Sequence, residues 1–392
     1  MRILHTSDWH LGRSFHREGM LEHQAAFVDH LLEVVESREV DLVVVAGDVY
    51  DRALPHVDAV RVADDAFARL ARSRARVVVT SGNHDSALRL GFGSRLMDAA
   101  GVHVRTDANG VGTPVELDDE HGPVLVYGIP YLDPEALRGP WSLPRRSHEA
   151  ALAAAMGRVR ADLATRPASS RSVVLAHAFV AGCAPSDSER DIAVGGVSMV
   201  SAELFDGIDY TALGHLHGAQ QLSASVRYSG SPLAYSFSEA DHVKGCWLVD
   251  LGADGVSSSE FLASPVPRPL VRLTGALADL LADPALEQHE GSWVQATLTD
   301  PVRPLRAMDQ LRQRFPHTLV IGFASDPSAG GSTPQARPTG LTDHEIALAF
   351  VAEVRGEPAR EEESLLLRDA CEASRDDRDD CADTLVGAGQ EG

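Results

Sequence analysis

Five β-branched runs in the first 217 residues each end in a turn built from Asp, His, Asn, Gly or Ala. Asp8-Trp9-His10 follows Arg2 to Thr6, Gly47-Asp48 follows Asp41 to Ala46, and Gly82-Asn83-His84-Asp85 follows Arg76 to Thr80. Ala176-His177 closes the run that starts at Ser172, and Gly214-His215-Leu216-His217 closes Tyr210 to Leu213. Ligand-type turns at strand ends constrain the fold strongly, because an open α/β sheet gathers its ligands outside the carboxyl ends of its strands. The intervening segments supply helices. Glu22 to Glu36 carries a stripe of Ala26, Phe27, His30, Leu31, Val34 and Val35 at helical spacing, and Val57 to Ala71 and Glu149 to Leu163 behave alike. With a further strand at Val124 to Gly128, the alternation predicts α/β architecture with helices covering the sheets. Strands at Tyr228 to Ser229, Gly245 to Leu251 and Val256 to Leu262, bounded by Gly230, Pro232, Gly252 and Gly255, read as the far side of the same domain.

At 392 residues the chain exceeds what one core usually organises, so one large domain with smaller appendages is expected. The Pro-rich stretch Ser264 to Pro269 marks a boundary at about residue 265. Beyond it, Leu270 to Thr274, a helix near Leu277 to Ala282, Trp293 to Leu298, a helix near Leu305 to Phe315 and Thr318 to Phe323 predict a small α+β cap over 266–324. Residues 325–340, rich in Ser, Gly and Pro, read as a flexible linker. In the helical segment 341–373, Thr342 and Glu345 form a capping box, and Ile346, Phe350, Val351 and Val354 share a helical face that needs an apolar partner. A shorter stripe with Leu366 and Leu367 follows the break at Gly356 to Pro358, and 374–392 reads as an acidic, disordered tail.

The formal charge is −22, from 35 Lys and Arg against 57 Asp and Glu. That balance weighs against a chain gripping nucleic acid by its own surface, since phosphate contacts draw on clustered Lys and Arg. Part of the excess lies between Glu361 and Glu391, and a carboxylate-rich metal centre is itself acidic until its cations are counted. Cys183, Cys246, Cys371 and Cys381 form no CxxC pair and fit reduced thiols. The opening MRILHTSDWH has no basic segment followed by a long apolar stretch, so a cytoplasmic location without a membrane anchor is expected.

Asp8 and His10 sit two apart at a strand exit, so one bend aims both at one cation, and His215 and His217 repeat the spacing. Carboxylate oxygen with imidazole nitrogen, and no thiolate, suits Mn, Fe, Zn or similar ions. A carboxylate such as Asp48 can bridge two cations, and such a pair polarises a phosphate and activates water for in-line attack. Singly, the turns have bland readings: Gly-Asp is a common turn, a lone His177 is more often a packed core residue, and His215 and His217 suit a solvated loop. Gly82 to Asp85 is more specific, because it uses one of only two asparagines, Asn83 and Asn109, beside a His and an Asp. All five in this order, each after a strand pattern, point to phosphate ester hydrolysis.

The series D-x-H, G-D, G-N-H-D, A-H and G-H-x-H resembles the signature of the calcineurin-like metallophosphoesterase family, with every element present. The resemblance implies a four-layer α/β sandwich and two divalent metal ions, Mn²⁺ in preference to Mg²⁺. It further implies that Asp8, His10 and His217 bind one ion, that Asn83, His177 and His215 bind the other, and that Asp48 bridges them. His84 would face the substrate phosphate, stabilising charge or protonating the leaving oxygen.

Longer stretches, HTSDWHLGR, VVAGDVYDRALP, SGNHDS, AHAFVAG and YSGSPLAYSF, look like bacterial nuclease subunits of the SbcD family. This likeness covers most of the chain and implies DNA as substrate, with endonuclease action on single strands and hairpins and exonuclease action on duplex ends. It implies a homodimer within a heterotetramer, gated by an SbcC-type ATPase whose coiled-coil base receives the C-terminal helices, and a nucleoid-associated place in the cytoplasm. Archaeal and eukaryotic relatives place a histidine shortly after G-D, where this chain has Asp51, which with Arg13 is a candidate substrate contact. Two other readings stand beside this one: a stand-alone phosphodiesterase or phosphatase for small nucleotides or phosphoproteins, and a scaffold of the same fold with a decayed site.

Overall fold

Leu42–Ala46 is a strand of five apolar residues, all buried. A strand without polar alternation needs cover on both faces, and a computed structural model of the chain supplies both covers. The structure describes residues 1–189, 199–266, 268–324, 342–355 and 357–371, the side chains of 353 and 354 excepted. Leu42–Ala46 lies inside a six-stranded sheet ordered Gly255–Ala263, Gly245–Gly252, Arg2–Thr6, Leu42–Ala46, Arg76–Thr80, Val102–Arg105. The last four strands run parallel, and the first two are added antiparallel. A second six-stranded sheet is ordered Gln220–Gln221, Val226–Tyr228, Tyr210–Gly214, Arg171–His177, Gly122–Gly128, Val115–Asp119, with its four inner strands parallel.

The two sheets face each other across one apolar core, in which Ile3, Val44 and Val78 of the first pack with Val126, Leu175 and Ala212 of the second. Each of the Ile, Val and Leu side chains among these contributes about 1.5–3 kcal/mol by leaving water. On the outer face of the first sheet, Leu31 and Val35 of the helix Leu21–Ser37 and Phe67 and Leu70 of the helix Val57–Leu70 form a second core. On the outer face of the other sheet, Ala155, Met156 and Val159 of the helix His148–Leu163 form a third. Ser147 caps that helix, its hydroxyl accepting from Ala150 N at 3.2 Å. The result is a four-layer α-β-β-α sandwich. His5 crosses its centre. Its Nε2 lies 3.1 Å from Leu213 O, which can only accept, so the ring proton sits on Nε2, and Nδ1 accepts from Tyr210 OH at 2.8 Å.

Leu270–Gly275, Trp293–Leu298 and Thr318–Phe323 form a parallel three-stranded sheet. Leu277 and Leu280 of one crossing helix and Leu311 of another pack on it with Leu273, Val294 and Phe315. The second helix is shorter than the Leu305–Phe315 expectation: it runs Ala307–Arg314, because Arg306 adopts a left-handed φ of 51° that no helical turn accepts. Trp293 carries this cap onto the sandwich, in one cluster with Phe15, Tyr235 and Phe237.

The remaining residues form a separate unit. A helix spans Asp343–Arg355, and Thr342 and Glu345 form the expected capping box, with Thr342 N donating to Glu345 Oε2 at 2.7 Å and Glu345 N to Thr342 Oγ1 at 3.3 Å. A second helix covers 361–371 and is tied to the first through His344 Nε2 and Ser364 O, 2.9 Å apart, and Arg355 with Glu363. Ile346, Phe350 and Leu366 are exposed, and Val351 and Leu367 are half-buried. The Val354 side chain, the 325–340 linker and the 374–392 tail lie outside the described residues. Among the described residues no helix is long and apolar enough to cross a membrane.

Candidate metal centre

All five ligand turns emerge at the same end of the two sheets. Within the first sheet, Asp8 N donates to Gly47 O and His10 N to Asp48 O, both at 3.0 Å, which seats the first two turns side by side. Asp85 ties the second turn to the third: its carboxylate accepts from Val49 N at 3.1 Å, Tyr50 N at 2.9 Å and Gly82 N at 2.9 Å. The second sheet joins through His177, whose Nδ1 donates to Ala46 O at 2.9 Å, and through His215 N, which donates to both Asp8 oxygens at 3.1 Å. The backbone is strained here. Asp8, His10, Asp48 and His215 take positive φ values of 53°, 46°, 50° and 102°, conformations that non-glycine residues hold only where the surroundings impose them. Gly47, at φ 88°, also needs its missing side chain, since a Cβ there would stand 2.3 Å from His177 Nδ1.

The side chains so placed form three overlapping groups whose ligand atoms lie within 4.8 Å of one another: Asp8, His10 and His217; Asp8, Asp48 and His177; His10, Asp48 and His84. His10 Nε2 and His217 Nε2 are 3.0 Å apart. Asn83 Oδ1 lies 2.9 Å from His177 Nε2, and the His215 ring is centred 5.3 Å from the His177 ring. Thus six of the expected residues, His84 included, converge in the three groups, while Asn83 and His215 flank His177. Among the carboxylates and imidazoles His84 is the most exposed, 7% against 4% or less for the other six, while Asn83 is half-buried. Its Nδ1 donates to the main-chain carbonyl of Asp51 at 2.7 Å, which leaves Nε2 directed inward, 4.0 Å from Asp48 Oδ2.

Burial and charge set the protonation states. Burial opposes the Asp48 carboxylate, yet His177, His10 and His84 outweigh it and hold Asp48 well below the usual carboxylate range. Burial likewise opposes the His177 imidazolium, but Asp48, 3.5 Å away, lifts it to about 9. Burial drives His10 well below, and His215 down to about 3, so both stay neutral with a nitrogen lone pair to offer. Asp8 is raised to about 6, first by burial, with His177 and His217 opposing. The donor set fits divalent cations: oxygen and neutral imidazole converge, His10 Nδ1 is buried without a hydrogen bond, and the His177 proton occupies a position where a cation would neutralise Asp48 instead.

Arg13 and Asp51 line the wall of this centre. The Arg13 guanidinium donates to Ser188 O at 2.8 Å, lies 3.7 Å from Asp51 Oδ1 and stacks over Tyr235, leaving its side chain 17% exposed. The Asp51 carboxylate also lies 3.8 Å from His10 Nδ1. Sequence reasoning missed several supporting groups. Gln24 Nε2 donates to His10 O at 2.7 Å while its Oε1 accepts from Gly12 N at 3.0 Å, and Tyr235 OH donates to Trp9 O at 2.6 Å. Asp85 lies inside the third turn, and its role there is to buttress the second. Nothing local marks Gln24, whereas the invisibility of Asp85 as a buttress follows from its donors on Val49 and Tyr50 lying 36 and 35 positions away.

Fold and site together define a metal-dependent α/β phosphoesterase. A family model described as calcineurin-like phosphoesterase matches residues 1–219, and the chain belongs to that family. A second model, the SbcD C-terminal domain, described as type 5 capsule protein repressor C-terminal domain, matches residues 266–355, and the pair is consistent with an SbcD-type nuclease subunit. Among solved structures, TT1561 of Thermus thermophilus is 14% identical over 66% of this chain and 98% of its own, with a TM-score of 0.39. A dimetal phosphatase from Danio rerio is 15% identical over 68% and 99%, TM-score 0.39, and GAP50 of Plasmodium is 12% identical over 85% and 99%, TM-score 0.38. At those scores the family assignment rests on the family models alone.

Proposed function

We propose that the chain is a DNA nuclease subunit that hydrolyses phosphodiesters with two divalent cations, Mn²⁺ by preference, in concert with an SbcC-type ATPase. The observation that carries the reading is the union, in one chain, of a buried Asp/His centre at the strand ends with an SbcD C-terminal domain over residues 266–355. Asp8, His10 and His217 hold one cation, Asn83, His177 and His215 the other, and Asp48 serves both. When bound, such cations supply charge neutralisation at the phosphate and activation of water. His84, fixed by the Asp51 carbonyl on the more exposed side of the cluster, stabilises charge on the phosphate or delivers a proton to the leaving oxygen.

Single-stranded DNA and hairpins are cut internally and duplex ends are trimmed, in the nucleoid. The exposed Ile346, Phe350 and Leu366, with the half-buried Val351 and Leu367, form the face offered to the partner ATPase. Homodimerisation is supported by a groove lined by Val60, Phe67, Leu90 and Phe92, with Leu88 and Leu96 of the same segment exposed. The deciding experiment measures Mn²⁺-dependent cleavage of a labelled DNA hairpin by the purified chain, with and without the ATPase and ATP, beside His84→Ala. Cleavage that the partner stimulates and the variant loses supports the reading. Intact DNA alongside hydrolysis of a small phosphodiester would instead favour a stand-alone phosphodiesterase.

A further inference from the structure

His217 is gripped from behind by groups that have no place in the chemistry so far. Its Nδ1 lies 2.6 Å from Ser188 Oγ, and that hydroxyl makes a short hydrogen bond to Glu239 Oε1. A carboxylate accepts only, so the Ser188 proton is directed to Glu239. The Ser188 oxygen is then left to accept, which places the ring proton on His217 Nδ1. Nε2 therefore carries the lone pair, on the edge that faces His10 Nε2 and shares a ligand group with Asp8.

The carboxylate in this chain is itself held. Lys244 Nζ donates to Glu239 Oε2, to His217 O at 2.7 Å and to Ser231 Oγ at 3.0 Å. Lys244 is the single lysine of the sequence, and it is buried. A buried ion pair adds little stability over an apolar pair of similar volume, so its two contacts around His217 give it a better reason to exist. The loop carrying Ser188 is also anchored to the same histidine, because the neighbouring Glu189 accepts from His217 N at 2.7 Å. Asp187 N, donating to Ser238 Oγ at 3.0 Å, fixes that loop to the turn bearing Glu239.

We propose that Ser188 and Glu239 are positioning residues that hold His217 in its Nε2-ligating form and thereby set the affinity of one cation site, the one shared with Asp8 and His10. This rests on the two-cation reading above. Outer partners of metal-binding histidines act in this way, orienting the ring and selecting its tautomer. The other site, around His177, has its own support in Ala46 O and is left untouched.

The test is calorimetric titration of the full chain with Mn²⁺ alone, for wild type, Ser188→Ala, Ser188→Thr and Glu239→Gln. Thermal unfolding in EDTA checks that each variant is folded. Ser188→Ala is expected to weaken one of two Mn²⁺ sites by about 10- to 100-fold and leave the second within about threefold. Ser188→Thr, which keeps the hydroxyl, restores the weakened site. Glu239→Gln, which keeps the shape but removes the charge that orients the hydroxyl, reproduces the selective loss even if Ser188→Ala disturbs its loop. Wild-type binding of both ions by Ser188→Ala and Glu239→Gln, or equal weakening of both sites, overturns the proposal. Fewer than two Mn²⁺ bound by the wild type instead overturns the two-cation reading beneath it.

Discussion

Replacing His5 by Gln should make the protein less stable at neutral pH and less sensitive to acid. His5 lies fully buried between the sheets, and burial is the main cause that lowers its pKa from 6.5 to about 3, with Arg227 adding to the effect against the hydrogen bond to Leu213. Folding therefore holds the ring neutral, whereas the unfolded chain takes up a proton near pH 6.5. Stability from this residue is complete above pH 6.5 and is lost as pH falls toward 3, since the unfolded state binds the extra proton in that window. Between pH 7.5 and 5.0 the loss is about 2 kcal/mol, from roughly 1.5 pH units at 1.36 kcal/mol each. Gln does not titrate, and its amide can only partly replace the bonds to Tyr210 and Leu213, at a cost of about 1–2 kcal/mol. Urea unfolding in EDTA, followed by tryptophan fluorescence, reads both effects, with Trp247 paired directly opposite His5 as reporter. Other titrating groups, Asp85 near 7 among them, are common to both proteins and cancel in the comparison. The stability gap should close or invert between pH 7.5 and 5.0. A gap unchanged within about 0.5 kcal/mol would refute the assignment of His5 as a neutral cross-sheet ring.

Gly82→Ala should fold but bind Mn²⁺ on the order of 10- to 100-fold more weakly by titration, since its Cβ would fall 2.1 Å from Asp48 Oδ1 and 2.5 Å from Asp48 N. Chelation should lower the melting temperature: each ion at a hundredfold excess over its Kd adds about 2.7 kcal/mol, which corresponds to roughly 5–10 °C per ion in calorimetry for a domain of this size. Phe92, 87% exposed at the apolar groove, should be required for self-association, so that Phe92→Asp elutes as a monomer in size-exclusion chromatography while its Mn²⁺-dependent hydrolysis of a small phosphodiester persists.

Much of the fold was legible because its signals are local. Leu42 to Ala46 is a solid apolar run, and a buried parallel strand is what such a run requires. The stripe from Phe27 to Val35 was readable as a helix because it repeats with helical period, and Leu31 and Val35 do face the core. Arg306 shows where locality ends: its left-handed φ is imposed by the chain path, and the residue type gives no hint of it.

The sequence by itself determined the strand-turn order, and with it the set of carboxylates and imidazoles delivered to one edge, because each turn closes its own strand or follows it within two residues. Only the tertiary structure decided how those groups are aimed. The left-handed backbone at Asp8, His10, Asp48 and His215 is imposed by neighbours from other strands. The Asp85 bonds to Val49 and Tyr50, and the contacts from Ser188 and Glu239 to His217, likewise join segments far apart in the chain. Such bonds exist only after the strands and the two sheets have closed on each other. Their partners are set by packing, which no local pattern of residues encodes.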